Sequence, residues 1–194
     1  MPCQGRDCDV FEPPGGREVG AELVGHPLVD KVSFTGSTAA GRQVAQTCAT
    51  SLTPVTLELG GKSAAIVLDD ADPTQVATGI RMASLSNSGQ VCNALSRVLV
   101  PSARADEFTD ALAEVVSSLR VGDPSDRETE IGPLVAQRQQ ERVWGYIEAG
   151  QAEGARLVTG GPGRPQGLGH GWYVRPTVFA GVGNDMRIAR EEIF

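Results

Sequence analysis

The sequence predicts an α/β fold with a mainly parallel sheet and flanking helices. Three observations carry that expectation. Short apolar or alternating runs recur along the chain, as strands require. Between them lie longer stretches with apolar residues at helical spacing, such as Val76, Ile80 and Ala83. The two kinds of segment alternate, and strands separated by helices pair in parallel.

Composition sets the outer bounds. A chain of 194 residues is long enough for one large domain or pieces of two, and buries about 70% of its unfolded surface. Hydrophobic content of 40% and charged content of 21% are ordinary for a globular protein. The net charge of −7 argues against non-specific binding to nucleic acid or anionic membrane. No apolar run approaches the ~20 residues of a membrane span. Met1 to Asp9 lacks the apolar centre of a signal peptide. Cys3, Cys8, Cys48 and Cys92 form no CxxC pair, and His26 and His170 are far apart, so no zinc site is expected. These features point to a soluble, cytoplasmic protein in a reducing compartment.

The elements follow in order. The first 17 or 18 residues are rich in Cys, Pro, Gly and charge without a period, which reads as a loop or ragged end. Val19 to Val24 suits a short helix. Lys31 to Phe34 is a short strand that runs into Thr35-Gly36-Ser37-Thr38, followed by a helix with Ala40, Val44, Ala45 and Cys48 on one face. Strand, glycine, hydroxyl cap and helix together offer backbone N–H groups to a phosphate. An ordinary capped helix explains the same residues equally well.

Pro54 to Leu59 alternates Val55, Leu57 and Leu59 inward with Thr56 and Glu58 outward, a half-buried strand ending at Gly60-Gly61. Gly61-Lys62-Ser63 invites a phosphate-binding P-loop reading. That motif needs a glycine five residues before Gly61, where Thr56 stands, so it is rejected. Ala64 to Leu68 is an apolar strand. The run Asp69 to Pro73 then supplies a turn, an N-cap and proline at the first helical position. Val76, Ile80, Ala83 and Asn87 continue at helical spacing toward Ser88-Gly89, where the helix should break.

Leu95 to Val100 is the next strand. Ser102 is expected to cap a helix burying Phe108, Ala111, Leu112, Val115 and Leu119. Gly122 to Pro133 is a polar loop, and Ala136 to Gly150 a helix carrying Val143, Tyr146 and Ile147. Arg156 to Thr159 is a short strand. Trp172 to Phe179 is extended, with Pro176 suggesting an edge. The apolar end at Phe194, with no turn or polar tail after it, suggests truncation.

The chemistry centres on Ser86-Asn87-Ser88-Gly89-Gln90-Val91-Cys92, a helix end that presents a cysteine before an apolar strand. Backbone N–H groups and a helix dipole at such a junction favour a thiolate nucleophile. A small buried cysteine is the competing reading.

Leu57-Glu58-Leu59-Gly60-Gly61-Lys62-Ser63 resembles the glutamate motif of the NAD(P)-dependent aldehyde dehydrogenases, and Gly89-Gln90-Val91-Cys92 resembles their cysteine motif. Glu58 precedes Cys92 by 34 positions, which fits that family's spacing. Phe34-Thr35-Gly36-Ser37-Thr38, Gly132-Pro133-Leu134, Pro176-Thr177-Val178 and Glu191-Glu192-Ile193-Phe194 resemble further family blocks in the same order. The likeness runs from about Glu18 to Phe194.

The resemblance implies an aldehyde dehydrogenase-like fold with an incomplete Rossmann-like portion. It divides the chain into an unmatched segment 1–17, the tail of the cofactor domain at 18–60, and a catalytic domain from 61 to 194, incomplete at its C-terminus. It implies oxidation of an aldehyde to a carboxylic acid with NAD or NADP. Cys92 would be the nucleophile and Glu58 the general base. Gly36 and Ser37 would lie at the cofactor's pyrophosphate, with Gly60 beside the same cofactor. Glu192 would hold the nicotinamide ribose, and Phe194 would pack beside the nicotinamide.

The resemblance also implies parts lying outside these residues. These are the oxyanion-hole asparagine, the lysine that grips the adenosine ribose, and the C-terminal oligomerisation strand of a homo-oligomeric family. Two other readings therefore stay open: a non-catalytic fragment that pairs with intact subunits, and cofactor-free ester hydrolysis at Cys92.

Overall fold

A serine and a leucine bracket the helix that organises the first part of the chain. The computed structural model describes residues 14–194. Cys3, Cys8 and most of the 1–17 segment lie outside the described residues. Packing of the chain divides it into two units, one ending at Leu59 and the other running Gly60–Phe194.

The first unit contains α1 (Arg17–Gly25), β1 (Val32–Gly36), α2 (Thr38–Ser51) and β2 (Val55–Leu59). Ser37 is the N-cap of α2, and its Oγ accepts the Ala40 N–H at 3.2 Å. Leu52 ends the helix in the left-handed region at φ 56°. The Thr53 N–H then reaches the Cys48 carbonyl at 3.0 Å. These are the usual means of satisfying a helix's orphan backbone groups.

The strands β1 and β2 pair in parallel, from Val32 opposite Val55 to Gly36 opposite Leu59. Their burial alternates as the sequence predicts, with Glu58 on the outward face. Gly41 is buried against Leu59, whose Cδ2 would lie 2.7 Å from an added Cβ. The bare glycine lets α2 close onto β2.

The second unit opens with β3 (Ala64–Ile66), α3 (Pro73–Leu85) and β4 (Arg97–Leu99). β3 pairs in parallel with β4, Ala64 opposite Arg97. Asp72 caps α3 by accepting the Gln75 N–H at 2.8 Å, with Pro73 at the first helical position. α4 (Ala105–Ser117) and α5 (Gln137–Ala152) follow, then β5 (Arg156–Thr159), β6 (Val178–Ala180) and the short α6 (Arg187–Arg190). β5 and β6 pair antiparallel with a bulge between Leu157 and Thr159. The core gathers Phe108, Leu112 and Val116 of α4 with Leu119, Ile131, Leu134, Tyr146 and Ile147.

Four expectations are revised. The strand predicted over Ala64–Leu68 ends at Ile66, because the Asp69-Asp70 turn follows at once and leaves Leu68 exposed. Asn87 does not continue α3: the helix stops at Leu85 and Asn87 turns left-handed at φ 51°.

Ser102 makes no cap bond. It starts a one-turn 3-10 segment, and Arg104 takes over that junction by donating to the Asp69 and Ala71 carbonyls at 2.7 and 2.9 Å. Only Val178–Ala180 of the extended segment pairs as strand. The mainly parallel α/β expectation holds: among the described residues the strands pair two by two, β1–β2 and β3–β4 in parallel and β5–β6 antiparallel.

Phe108 is 1% exposed and central to the second unit. Phe108→Ala is expected to lose about 3–5 kcal/mol of that unit's stability through the cavity it leaves. Urea unfolding followed by the fluorescence of Trp144 and Trp172, both within Gly60–Phe194, measures it.

Candidate active site

In the first unit, Glu58, Gly36 and Ser37 gather at the C-terminal ends of β1 and β2. Thr35 is opposite Glu58 and Gly36 is opposite Leu59 in the parallel register. This is the end of a parallel pair where α/β proteins place ligands. The Ser37 cap satisfies the Ala40 N–H, and the Ser37 carbonyl accepts the Gly41 N–H at 2.9 Å. The N–H groups of the first turn before Ala40 remain open, as at any helix start. A side chain at Gly36 would meet the Phe34 ring, at 2.7 Å from its Cζ.

In the second unit, the chain leaves α3 and makes three consecutive left-handed residues: Asn87 at φ 51°, Ser88 at φ 58° and Gly89 at φ 80°. Only the glycine takes that conformation without strain. Tertiary bonds hold the loop in place. The Ser88 hydroxyl donates to the Gly132 carbonyl at 3.0 Å, and Gln90 Oε1 accepts the Val135 N–H at 3.1 Å. On the far side, the Leu95 N–H reaches the Ala83 carbonyl at 3.1 Å and the Ser84 hydroxyl donates to the Leu95 carbonyl at 2.6 Å. Cys92 lies in the turn between these anchors with an exposed, free thiol, whereas the free thiol of Cys48 is buried on α2.

Glu192 is half-buried, and its carboxylate lies against the α-carbon of Gly60; an added Cβ there would overlap it. The Glu192 carbonyl accepts from Arg142 Nη2 at 3.4 Å. The neighbouring Glu191 accepts the Tyr146 hydroxyl at 2.8 Å and Arg187 Nε at 3.1 Å. Those bonds, the Tyr146 hydroxyl first, hold its carboxyl below the usual range. Arg187 and Arg142 also lie over the Tyr146 ring, at 4.6 and 5.6 Å from its centroid, an arrangement that favours the cations. Phe194 lines a largely apolar cavity of about 580 Å³ together with Lys62, Ser88, Gly89 and Arg97. Its carbonyl accepts from Gln139 Nε2 at 3.5 Å.

The structure thus brings Gly60 and Glu192 together, and sets Glu58, Gly36 and Ser37 side by side. Sequence reasoning missed three contributors. Ser88 and Gln90 lie within the cysteine motif, but their partners at Gly132 and Val135 are more than 40 residues away. Lys62 enters the sequence reading only within the rejected P-loop and the glutamate motif, with no role of its own. It is half-buried, and burial followed by Arg97 repulsion lowers its ammonium to about 8, against the opposing pull of Glu192.

The profile of the aldehyde dehydrogenase family matches residues 10–194. Geranial dehydrogenase of Castellaniella defragrans is 54% identical over 181 residues, which is 93% of this chain and 37% of that protein. A Mycobacterium tuberculosis aldehyde dehydrogenase solved with NAD+ superposes with a TM-score of 0.90 at 49% identity, covering 93% of this chain and 37% of the other. An aldehyde dehydrogenase variant from Pseudomonas syringae solved with NAD+ and octanal gives a TM-score of 0.88 at 46% identity, covering 90% of this chain and 36% of that one. The chain therefore spans well under half the length of these relatives. With that extent of match in both sequence and fold, the chain belongs to the aldehyde dehydrogenase family.

Proposed function

We propose that the chain carries the thiol half of an aldehyde oxidation, with Cys92 as the nucleophile. One observation carries this reading: an exposed cysteine that follows three left-handed residues, in a loop anchored before it to Gly132 and Val135 and after it to Ala83 and Ser84. Strain kept in place by surrounding structure is characteristic of functional loops. The relatives' printed names, which include geranial dehydrogenase and betaine aldehyde dehydrogenase, support an aldehyde as the substrate class.

In this reading the Cys92 Sγ adds to the aldehyde carbon and gives a tetrahedral thiohemiacetal. Loss of hydride from that carbon leaves a thioester on Cys92. Water then attacks the thioester, Glu58 takes the water proton, and the carboxylic acid leaves as the thiolate is restored. A serine in place of Cys92 would leave a less electrophilic ester.

The residues present suit a dinucleotide. Gly36, Ser37 and the open first turn of α2 offer N–H groups to a pyrophosphate. Gly60 leaves room for a carboxylate-bound ribose at Glu192, and Phe194 offers an apolar face to a nicotinamide. Bound NAD or NADP would supply the hydride acceptor. No helix among the described residues is long and apolar enough to cross a membrane, and an exposed free thiol suits a reducing, cytoplasmic setting. The alternative reading, a non-catalytic piece that pairs with intact subunits of the family, is motivated by the chain spanning 37% of a relative.

Two outcomes test these readings. Incubated with NAD+ or NADP+ and a panel of aldehydes, the purified chain is expected to form reduced cofactor, followed by absorbance. Cys92→Ala should abolish it, and Glu58→Gln should slow steady turnover roughly 100-fold or more while sparing acylation. No reduced cofactor from the wild-type chain, alone or mixed with a full-length relative whose own catalytic cysteine is replaced by alanine, rules out the catalytic reading.

Independently, in a Cys3→Ser/Cys8→Ser background, iodoacetamide is expected to label Cys92 in the native protein and Cys48 only after denaturation. Mass spectrometry of tryptic peptides reads the result. Native labelling of Cys48 would contradict the burial on which the assignment of Cys92 rests.

A further inference from the structure

Asn87 suits a helix by its spacing in the sequence, yet it stands left-handed in the structure, at φ 51° and ψ 38°. The simplest role for it is conformational, because asparagine tolerates that region better than most residues. Its bonds go further. The Asn87 carbonyl accepts the Gln90 N–H at 3.1 Å, which closes a mirror-image turn over the left-handed Ser88 and Gly89. The same carbonyl accepts from Gln90 Nε2 at 3.3 Å, and Asn87 Nδ2 donates to the Gln90 carbonyl at 3.1 Å. The two amide side chains therefore grip each other's backbone across the turn.

Gln90 carries this clasp outward. With Nε2 spent on Asn87, its Oε1 accepts the Val135 N–H at 3.1 Å, 45 positions along the chain. An amide is planar, so holding its nitrogen aims its oxygen. Gln90 also carries the clasp forward. The next residue, Val91, opens a second turn, in which the Ala94 N–H donates to the Val91 carbonyl at 3.1 Å. Cys92 stands at the first corner of that second turn, with its thiol exposed. Val91 alone separates the clasp from Cys92.

We infer that Asn87 is a positioning residue: its side-chain amide locks Gln90 in the orientation that reaches Val135, and the locked Gln90 sets the start of the turn that carries Cys92. The bearing on catalysis rests on the reading of Cys92 as nucleophile given above, whereas the clasp stands without it.

Amide hydrogen exchange followed by NMR reads the clasp without any turnover. Asn87→Gly is the decisive variant, because glycine suits the left-handed backbone better and lacks the amide. It is expected to quicken exchange at Val135 and at Ala94 about fivefold, the protection that roughly one hydrogen bond gives. Exchange at Phe108, in the middle of buried α4, serves as the reference for global opening. A purely conformational role predicts unchanged or slower exchange at both sites, and that result overturns the inference. Quickening at Val135 alone overturns the positioning of Cys92.

Gln90→Met removes the acceptor and should quicken Val135 by itself. In that background Asn87→Gly is expected to add nothing at Val135, because its effect passes through the Gln90 amide. Equal quickening in both backgrounds overturns the relay. In aldehyde oxidation, Asn87→Gly is expected to lower kcat about tenfold and to leave KM for the aldehyde within about twofold. Unchanged kcat overturns the catalytic consequence. A wild-type chain that forms no reduced cofactor overturns the nucleophile reading instead, and exchange at Val135 and Ala94 still decides the clasp.

Discussion

The Ser88 hydroxyl donates to a carbonyl 44 positions later, at Gly132, and holds the cysteine loop in a conformation its own sequence disfavours. Left-handed backbone costs a non-glycine residue about 1–2 kcal/mol, and Asn87 and Ser88 both adopt it. Each neutral hydrogen bond returns about 1 kcal/mol. Four of them, at Ser84, Ser88, Gln90 and Leu95, bracket the loop. The two sums are comparable, so the loop keeps its shape only while its partners stay in place.

Those partners depend in turn on the core of the second unit. Ile131 and Leu134 flank the segment that accepts from Ser88, and both are buried. Ile131 packs with Val116 and Leu119 at the end of α4. The Leu134 N–H donates to the Trp172 carbonyl at 3.0 Å, and buried Gln140 donates to the Tyr173 carbonyl at 2.6 Å. Apolar burial along α4 and α5 is therefore linked, through two carbonyl anchors, to the position of the exposed Cys92 thiol.

The C-terminal segment is held by burial, with Ile188 and Ile193 packed against Tyr146 and Ala155, and by charge. Tyr146 is 3% exposed, yet its hydroxyl reaches out to Glu191 and its ring lies under two guanidiniums. An exposed ion pair alone contributes little. Here the buried ring supplies a fixed post, and the charges organise around it. That post fixes the backbone of Glu192 and leaves the carboxylate to meet Gly60.

The sequence alone determined what depends on near neighbours. The alternation in β2, the Asp72 cap with Pro73 and the apolar face of α4 could all be read from residues a few positions apart, because side-chain period and capping act locally. The order of the family motifs was legible for the same reason. Tertiary structure alone decided the rest. Asn87 suits helical spacing, but the chain leaves the helix at Ser86 to meet Gly132 and Val135, partners that no local pattern identifies. Ser102 is a sound cap in isolation, yet Arg104 takes over that junction by reaching Asp69 and Ala71. Lys62 in isolation is an ordinary surface cation. Burial, followed by repulsion from Arg97, lowers its ammonium to about 8 against the opposing pull of Glu192, since desolvation is set by what folds over a residue and not by what flanks it.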